Sequence, residues 1–422
     1  MQGGCILMGV LGAVVASLDG QQMLQCHVAS KQQAMFFQSL DVFKFDPLAC
    51  NFTVRVVDQQ QLDQVQQVSQ CIPLEADFAK MSGHGRRKRS IEAPLSPDRF
   101  FADYQSYRTM RLTLAEWADQ NPGIATFIPS VGQTHEGREM FAFKITSATA
   151  GIKKGIWFNG GQHAREWIAP ATVIYLIHKL LVEAETPRVK ALLDGVEFHF
   201  TPLANPDGYE YSRLPGKRLW RKNRRDNGDG SFGVDLNRNW DEHWGVVDKA
   251  SSPSFITYHG PYPHSEPEVQ ALANYSLSIP SCYGGIDFHS YGQLILRNWG
   301  WSTLRSSIDA NLVELSQLVQ EAFKARGDIY TVKTLSELYP ASGTLTDWMA
   351  TKAKLVSLSI ELCPSDYSYA FKLPAASIVS CSEGAYAAAL AFSEYLLLHP
   401  NISADSTPIQ KHFPQTSPKT SD

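Results

Sequence analysis

The 422-residue chain lacks any Cys-x-x-Cys pair, so a cysteine-built zinc site has no footing. It also lacks a Gly-x-Ser-x-Gly elbow, which leaves a serine mechanism unsupported. Neither sign of charge is in excess: 38 Lys and Arg stand against 42 Asp and Glu, for a net charge of −4. Binding to nucleic acid through bulk charge is therefore not expected. Internal repeats are absent, and no apolar run beyond the N-terminus is expected to be long enough to cross a membrane. What remains is an ordinary globular composition, 44% apolar and 19% charged. At this length it suggests two or three units with room for a large core.

The first residues, MQGGCILMGVLGAVVASLDG, carry an apolar run from Cys5 to Ala16 followed by polar sequence. Its length suits the core of a secretory signal and is too short to span a bilayer. Val15 and Ser17 are small enough for cleavage after Ser17, which makes residues 1–17 the expected signal peptide. Sequons at Asn51, Asn274 and Asn401 agree with secretion. The expected location is extracellular, where disulfides persist.

The run Arg86-Arg87-Lys88-Arg89 lies among Gly, His and Ser. A solvated basic loop is the plain reading. In a secreted chain it is better read as a processing site, with cleavage after Arg89 and a mature chain starting at Ser90. Residues 18–89 then form a pro-segment. Their pattern runs strand (QMLQCHV), helix (SKQQAMFFQSL), two strands (VFKFD, NFTVRVV), helix (QQQLDQVQQVS) and strand (CIPLEADF). That order is ferredoxin-like, an α+β unit with two helices on one sheet face.

Residues 90–400 alternate differently. Strand-like runs (GIWFNG, VEFHFTPLANP, GGIDFHSYGQLIL, KLVSLSIEL) interleave with helical ones (PATVIYLIHKLLVEA, SEPEVQALANYSLS, IDANLVELSQLVQEAFKAR, GAYAAALAFSEYLLL). This predicts an α/β fold, a mixed, largely parallel central sheet with helices on both faces. Function is expected at strand ends and in the loops beyond them. Residues 401–422 read as a disordered polar tail. Of seven cysteines, Cys5 leaves with the signal, three lie in the pro-segment and three in the larger part. The expected bridge is Cys363–Cys381, leaving Cys282 free; pairing within the pro-segment cannot be read from sequence.

His163 is the only histidine followed three residues later by Glu, here Glu166. Both sit where the chain turns after GIWFNGG, and from such a turn both could reach one ion. A catalytic zinc needs three protein ligands and an open fourth position. His289, at the end of the strand-like IDFHS, is the best third ligand, although a lone histidine there could equally be a satisfied core residue.

The segments GGQHAREWIAP, ANPDGYEYS, LWRKNRR, VDLNRNWD, TYHGPYPHSEPEV, FHSYGQLIL, LYPASGTLTDW and SIEL decide between these readings. In this order, across residues 98–398, the chain closely resembles the secreted zinc carboxypeptidases of the pancreatic A/B type. The segment before them resembles the inhibitory pro-region of that family, though it is shorter. The resemblance implies that His163, Glu166 and His289 bind one Zn²⁺ and that Asp235 orients the first zinc histidine. Glu361 would be the general base that takes a proton from the attacking water, and Arg221 would stabilise the oxyanion. Arg238 would grip the terminal carboxylate with its planar fork, helped by Asn237 and Tyr339, while Arg165 would add a further substrate contact.

In this family the residue before the Asp-Trp of TLTDW forms the floor of the specificity pocket. Here it is Thr346, neither the apolar residue of A-type enzymes nor the acid of B-type ones. Thr334 replaces a usually apolar lining position, while Leu296, Leu338 and Ala341 stay apolar. Asp287, two residues before His289, shares that residue's face on a strand; it could supply a pocket charge or be a structural carboxylate. Ser231 and Ser254 stand where digestive relatives have a disulfide. The resemblance implies a zinc-dependent metallocarboxypeptidase, made as a zymogen and activated by a protease at the basic linker. It would act as a monomer on peptide or protein C-termini and release neutral residues. The alternatives are a B-type preference for Lys and Arg, or a non-catalytic secreted binding module on the same fold. No nucleic-acid or membrane partner is expected.

Overall fold

The computed structural model of the chain describes residues 22–27, 41–46, 51–56, 59–69, 71–73, 93–247, 250–365 and 369–402. The expected signal, the first helix of the pro-segment, the cleavage site at Arg89 and Ser90, and residues 403–422 of the tail lie outside the described residues. The chain divides into two compact units, Met1–Arg86 and Arg87–Asp422.

The first unit contains β1 (Gln22–His27), β2 (Asp41–Asp46), β3 (Asn51–Val56), a helix (Gln59–Val68) and β4 (Cys71–Pro73). Its strands pair in the order β2-β3-β1-β4, and every pairing is antiparallel. Leu24, Val54 and Val65 are buried, one from each of two strands and one from the helix. Cys26 and Cys71, opposite one another in the register of β1 and β4, form a disulfide. The sequence left this pairing open, and only the register makes it visible.

The second unit is built on an eight-stranded sheet: β5 (Ala125–Gln133), β6 (Glu139–Ile145), β7 (Lys154–Gly160), β8 (Val196–Thr201), β9 (Cys282–Ser290), β10 (Leu294–Arg297), β11 (Thr331–Thr334) and β12 (Val356–Leu362). The order is β11-β10-β12-β9-β7-β8-β6-β5. The central strands β12, β9, β7 and β8 run parallel, as do β10 and β11, while β10–β12, β8–β6 and β6–β5 are antiparallel. The sheet is thus mixed, as expected, and larger than the strand-like runs suggested. The β5–β6 hairpin escaped notice because β5 is mostly half-exposed. The GGIDFHSYGQLIL run also divides at residues 291–293 into β9 and β10.

Alternation along the strands sends side chains to two separate cores. Ile156 and Phe158 of β7, Ile286 and Phe288 of β9, and Leu358, Ile360 and Leu362 of β12 enter the larger core. Helices Tyr107–Gln120, Ile168–Val182, Asp309–Lys324 and Ile378–Leu398 supply its other side. Trp157 points the opposite way, into a second core with Trp240, Leu272 and Trp348, under helices Pro267–Ser278 and Leu345–Thr351. One expectation fails here. The helical stretch Ala375–Leu398, which includes helix Ile378–Leu398, is long and apolar enough to cross a membrane by length and composition. Its apolar residues, including Ile378, Phe392 and Leu396, are instead buried in the larger core. A helix apolar nearly all round is what a position inside a large α/β protein requires.

Cys363 and Cys381 form the expected disulfide, closing the segment between β12 and the last helix, and Cys282 is free. The Ser231 and Ser254 loops are held by hydrogen bonds in place of a bridge. Ser231 Oγ donates to Asp229 Oδ1 at 2.6 Å, and Lys222 Nζ donates to the Pro253 carbonyl at 2.7 Å. Asn274 and Asn401 are exposed, as an acceptor asparagine must be; the side chain of Asn51 lies outside the described residues.

Candidate active site

The site sits at the carboxyl ends of the parallel strands, where an open α/β sheet leaves a crevice. Register explains its layout. On the face opposite the larger core, Glu361 of β12 lies across from His289 of β9, and Ser359 lies one rung lower across from Asp287. Asn159 of β7 pairs with Asp287 from the other side. Past Gly160 the chain turns through Gly161, whose φ of +74° favours glycine, and then presents His163 and Glu166.

His163, Glu166 and His289 are all buried, and their ligand atoms lie within 4.8 Å of one another. His163 Nδ1 is 2.8 Å from Glu166 Oε1, and His289 Nδ1 is 2.9 Å from Glu166 Oε2. The two Nδ1 atoms are 3.2 Å apart. Each imidazole turns its other nitrogen to a carboxylate: His163 Nε2 to Asp235 Oδ1 at 3.1 Å, His289 Nε2 to Asp287 Oδ2 at 2.6 Å. Those bonds fix Nε2 as the protonated nitrogen and leave both Nδ1 lone pairs facing Glu166. Two imidazole nitrogens and a carboxylate converging in this way fit a zinc ion with an open fourth position. Burial opposes charge on Glu166, but the two histidines outweigh it and hold the carboxyl below its usual range. Burial likewise opposes charge on His289, while Asp287 and Glu166 raise its pKa well above normal.

Asp235 is the N-cap of the short turn Leu236–Arg238 and accepts from Asn237 N at 3.0 Å. Its second oxygen accepts from Arg221 Nε at 2.9 Å. Burial works against its charge, yet Arg221 and His163 keep it ionised far below the usual range. One carboxylate therefore ties the first metal histidine to the expected oxyanion-binding arginine. Asn237 is locked by its Oδ1, which accepts from Leu345 N at 2.9 Å, and its Nδ2 lies 3.2 Å from His289 Nε2. Arg238 donates through Nη1 to the Asn237 carbonyl at 2.7 Å, and its Nη2 is 3.4 Å from the Tyr339 hydroxyl. Gly343 backs this corner, because a Cβ there would overlap the Arg238 carbonyl. The structure thus gathers the three residues expected to bind a terminal carboxylate.

Glu361 is different. Its carboxylate makes no hydrogen bond to the described residues, although it stands in register with a metal ligand. Burial first, and then the negative charge of Glu166, raise its pKa to about 8. A dication nearby would pull it back down. Arg165, also buried, lays its guanidinium over the Phe371 ring at 3.9 Å. Phe371 belongs to the disulfide-closed segment, which therefore borders the site.

Of the expected pocket residues, Leu296, Ala341 and Leu338 do gather, together with Leu335, Leu294 and Tyr339. Leu335 was missed by the sequence reading; Thr334, which precedes it, is buried and pairs with Arg297 across the strand rung. Thr346 is fully buried and its hydroxyl has no hydrogen-bond partner among the described residues. Its carbonyl accepts from Ser357 Oγ at 2.9 Å and Asn298 Nδ2 at 3.0 Å. That places it beside Ser357, two rungs below Glu361 on one strand face. Asp287 corrects the pocket reading. Asn159 Nδ2 donates to its Oδ1 at 2.8 Å, Gln162 Nε2 donates to its Oδ2 at 2.6 Å, and His289 takes the remaining direction. It stands behind His289 and leaves no free oxygen for a pocket.

A second group, His135, Glu266 and Glu268, also brings ligand atoms within 4.8 Å. Asn223 Nδ2 already lies between its carboxylates, at 2.7 and 3.1 Å, and Arg225 Nη1 is 3.1 Å from Glu266. Its charge is met by protein cations and donors.

A family model described as zinc carboxypeptidase matches residues 110–388. This chain belongs to the zinc carboxypeptidase family. It is 33% identical to carboxypeptidase A2 of Rattus norvegicus over 305 residues, 71% of this chain and 72% of that protein. It is 36% identical over 299 residues to zinc carboxypeptidase A 1 of Drosophila melanogaster, 67% of each. The crystal structure of carboxypeptidase A from Helicoverpa armigera aligns with 89% of this chain and 98% of its own, at a TM-score of 0.76 and 25% identity. The chain is accordingly a metallocarboxypeptidase, and the ion that its His-Glu-His set fits is zinc.

Proposed function

We propose that the protein is a secreted zinc carboxypeptidase, made as a zymogen, that removes neutral residues from peptide C-termini. The observation that carries this reading is the convergence of His163, Glu166 and His289 beside the unbonded carboxylate of Glu361. Zinc, when bound, polarises the scissile carbonyl and makes water more acidic. Arg238 holds the substrate carboxylate in its fork, with Asn237 and Tyr339 as further hydrogen-bonding groups. Arg165 contacts the substrate near the scissile bond. Glu361 accepts the proton of the attacking water and returns it to the leaving amine. Arg221, held by Asp235 Oδ2 at 2.9 Å from Nε and 2.8 Å from Nη2, offers Nη1 to the developing oxyanion.

The side chain of the departing residue enters the pocket of Leu296, Leu335, Leu338 and Ala341, with Thr346 at its floor. Asp287 gives that pocket no free carboxylate oxygen, because both of its oxygens are engaged. This favours neutral residues over Lys and Arg. The intact ligand and base set favours an enzyme over a binding module. The N-terminal unit acts as the inhibitory segment, released by cleavage after Arg89. The test takes the chain cleaved after Arg89 and peptides differing only in their last residue, with and without a zinc chelator. Chelator-sensitive release of neutral residues is expected. Strong preference for C-terminal Lys or Arg would reject the pocket reading, and chelator-resistant release would reject the mechanism.

A further inference from the structure

The two metal histidines are each backed by a carboxylate, but the two carboxylates differ in their surroundings. Asp235 has an arginine, Arg221, at 2.9 Å. Asp287 has none: among the described residues its only ion pair is with His289, at 2.6 Å. It is fully buried on β9, two residues before His289, so the pleat stacks the carboxylate behind the imidazole. A buried carboxylate without a cation is costly, and the surroundings are built to hold it nonetheless. Asn159 and Gln162 aim their amide nitrogens at its two oxygens, at 2.8 and 2.6 Å. Their own carbonyls are pinned in turn. Asn159 Oδ1 accepts from Thr201 Oγ1 at 2.7 Å, and Gln162 Oε1 accepts from Trp240 Nε1 at 3.0 Å. The amides cannot rotate, so they present donors to Asp287 and nothing else. Among the described residues, the one group that pairs with Asp287 as an ion is the imidazole that turns Nδ1 to the metal position.

We propose that Asp287 is a positioning residue for zinc, orienting His289 and adding a second buried negative charge that tightens metal binding. The inference rests on the zinc-carboxypeptidase reading and specifies how this chain holds the ion. Hydrogen bonding to a metal-bound imidazole raises its ligand basicity, and loss of such a partner typically weakens metal affinity about 10–100-fold.

The rung pairing of Asn159 with Asp287 provides a variant that separates charge from packing. In the double variant Asn159→Asp with Asp287→Asn, the new amide at 287 still accepts from His289 and Gln162 and donates to the new carboxylate at 159. That carboxylate still accepts from Thr201. Every hydrogen bond survives, and only the charge moves one strand away from His289. The full-length chain is stripped of zinc and titrated with zinc in competition with a chelator of known affinity. Thermal unfolding is followed with and without the metal. The expected result is a zinc dissociation constant raised at least about threefold, less than the ~10–100-fold of a lost imidazole partner, because the hydrogen bond stays and only the charge leaves His289. The midpoint gained on adding zinc should shrink, while the zinc-free midpoint stays near that of the unaltered chain. The single variant Asp287→Ala, which removes the acceptor as well, should weaken zinc further. A dissociation constant within twofold of the unaltered chain in both variants overturns the proposal. So does a midpoint lowered equally with and without zinc, which is the signature of a purely structural carboxylate. Failure of the unaltered chain to bind zinc would overturn the family reading and this inference together; normal binding with unchanged variants would overturn this inference alone.

Discussion

Replacing Glu361 with Gln separates two consequences of one half-buried carboxyl. Burial and the charge of Glu166 raise its pKa to about 8, from an ordinary 4.5. A carboxyl whose pKa is higher in the folded than in the unfolded state costs nothing at low pH, where both states hold the proton. The cost grows as pH rises above the unfolded pKa and levels off above the folded one. In the zinc-free protein it is below about 1 kcal/mol at pH 5, about 3 kcal/mol at pH 7 and about 5 kcal/mol above pH 8. Glu361→Gln removes this dependence while keeping the shape. Denaturant unfolding of the zinc-free protein at pH 5, 7 and 8.5 should show the variant gaining on the unaltered chain by about 2 kcal/mol between the first two values. With zinc bound, the dication favours the carboxylate and the gain should shrink. Peptide hydrolysis by the same variant should fall by about 10²–10⁴ for loss of a general base. A stability difference constant across pH, or hydrolysis within tenfold of normal, would refute the reasoning.

Asp235→Asn should destabilise the protein by about 3–5 kcal/mol at pH 7, because it leaves Arg221 buried without its counter-charge. Since the pKa of Asp235 is depressed, this contribution is present above about pH 4 and lost as pH falls further, so the two chains should converge in acid. Thr346→Val removes a buried hydroxyl without a partner among the described residues. It should stabilise the fold by about 1 kcal/mol and raise kcat/KM for C-terminal Leu relative to Gln; an unchanged ratio would remove Thr346 from the pocket floor. Opening the Cys363–Cys381 bridge, which spans 18 residues, should cost about 3 kcal/mol of unfolding free energy. It should also raise KM, since Phe371 would no longer be held against Arg165.

How much was legible beforehand depended on whether a residue's chemistry is visible without its neighbours. The central strands declared themselves as apolar runs, and Glu361 and His289 each closed one. The half-exposed β5 carried no such signal. His163, Glu166 and His289 come together, and so do Leu296, Leu338 and Ala341. Asp287 was ambiguous from the sequence because period 2 along a strand fixes its face but says nothing of what lies across the sheet. Its two amide donors, Asn159 and Gln162, are 128 and 125 residues away. Uncharged amides in an apolar strand and a tight turn announce no function, and only the β7–β9 register gives them one. The length of helix Ile378–Leu398 was underrated for a related reason. Ser, Gly and Glu interrupt its apolar residues, which made the run look shorter than the helix is.

The central claim is that His163, Glu166 and His289 bind a zinc ion that the enzyme needs to free the last residue of a peptide. Its most direct test is metal stoichiometry measured alongside hydrolysis, with the chain cleaved after Arg89, then stripped by chelator, then reloaded. The account predicts one zinc per chain, release of a single C-terminal amino acid, loss of both on stripping and return of both with added zinc. It also predicts a metal-poor, inactive protein when His289 is replaced by Ala. Hydrolysis that persists in the stripped protein, or full zinc content in the His289→Ala variant, would contradict it.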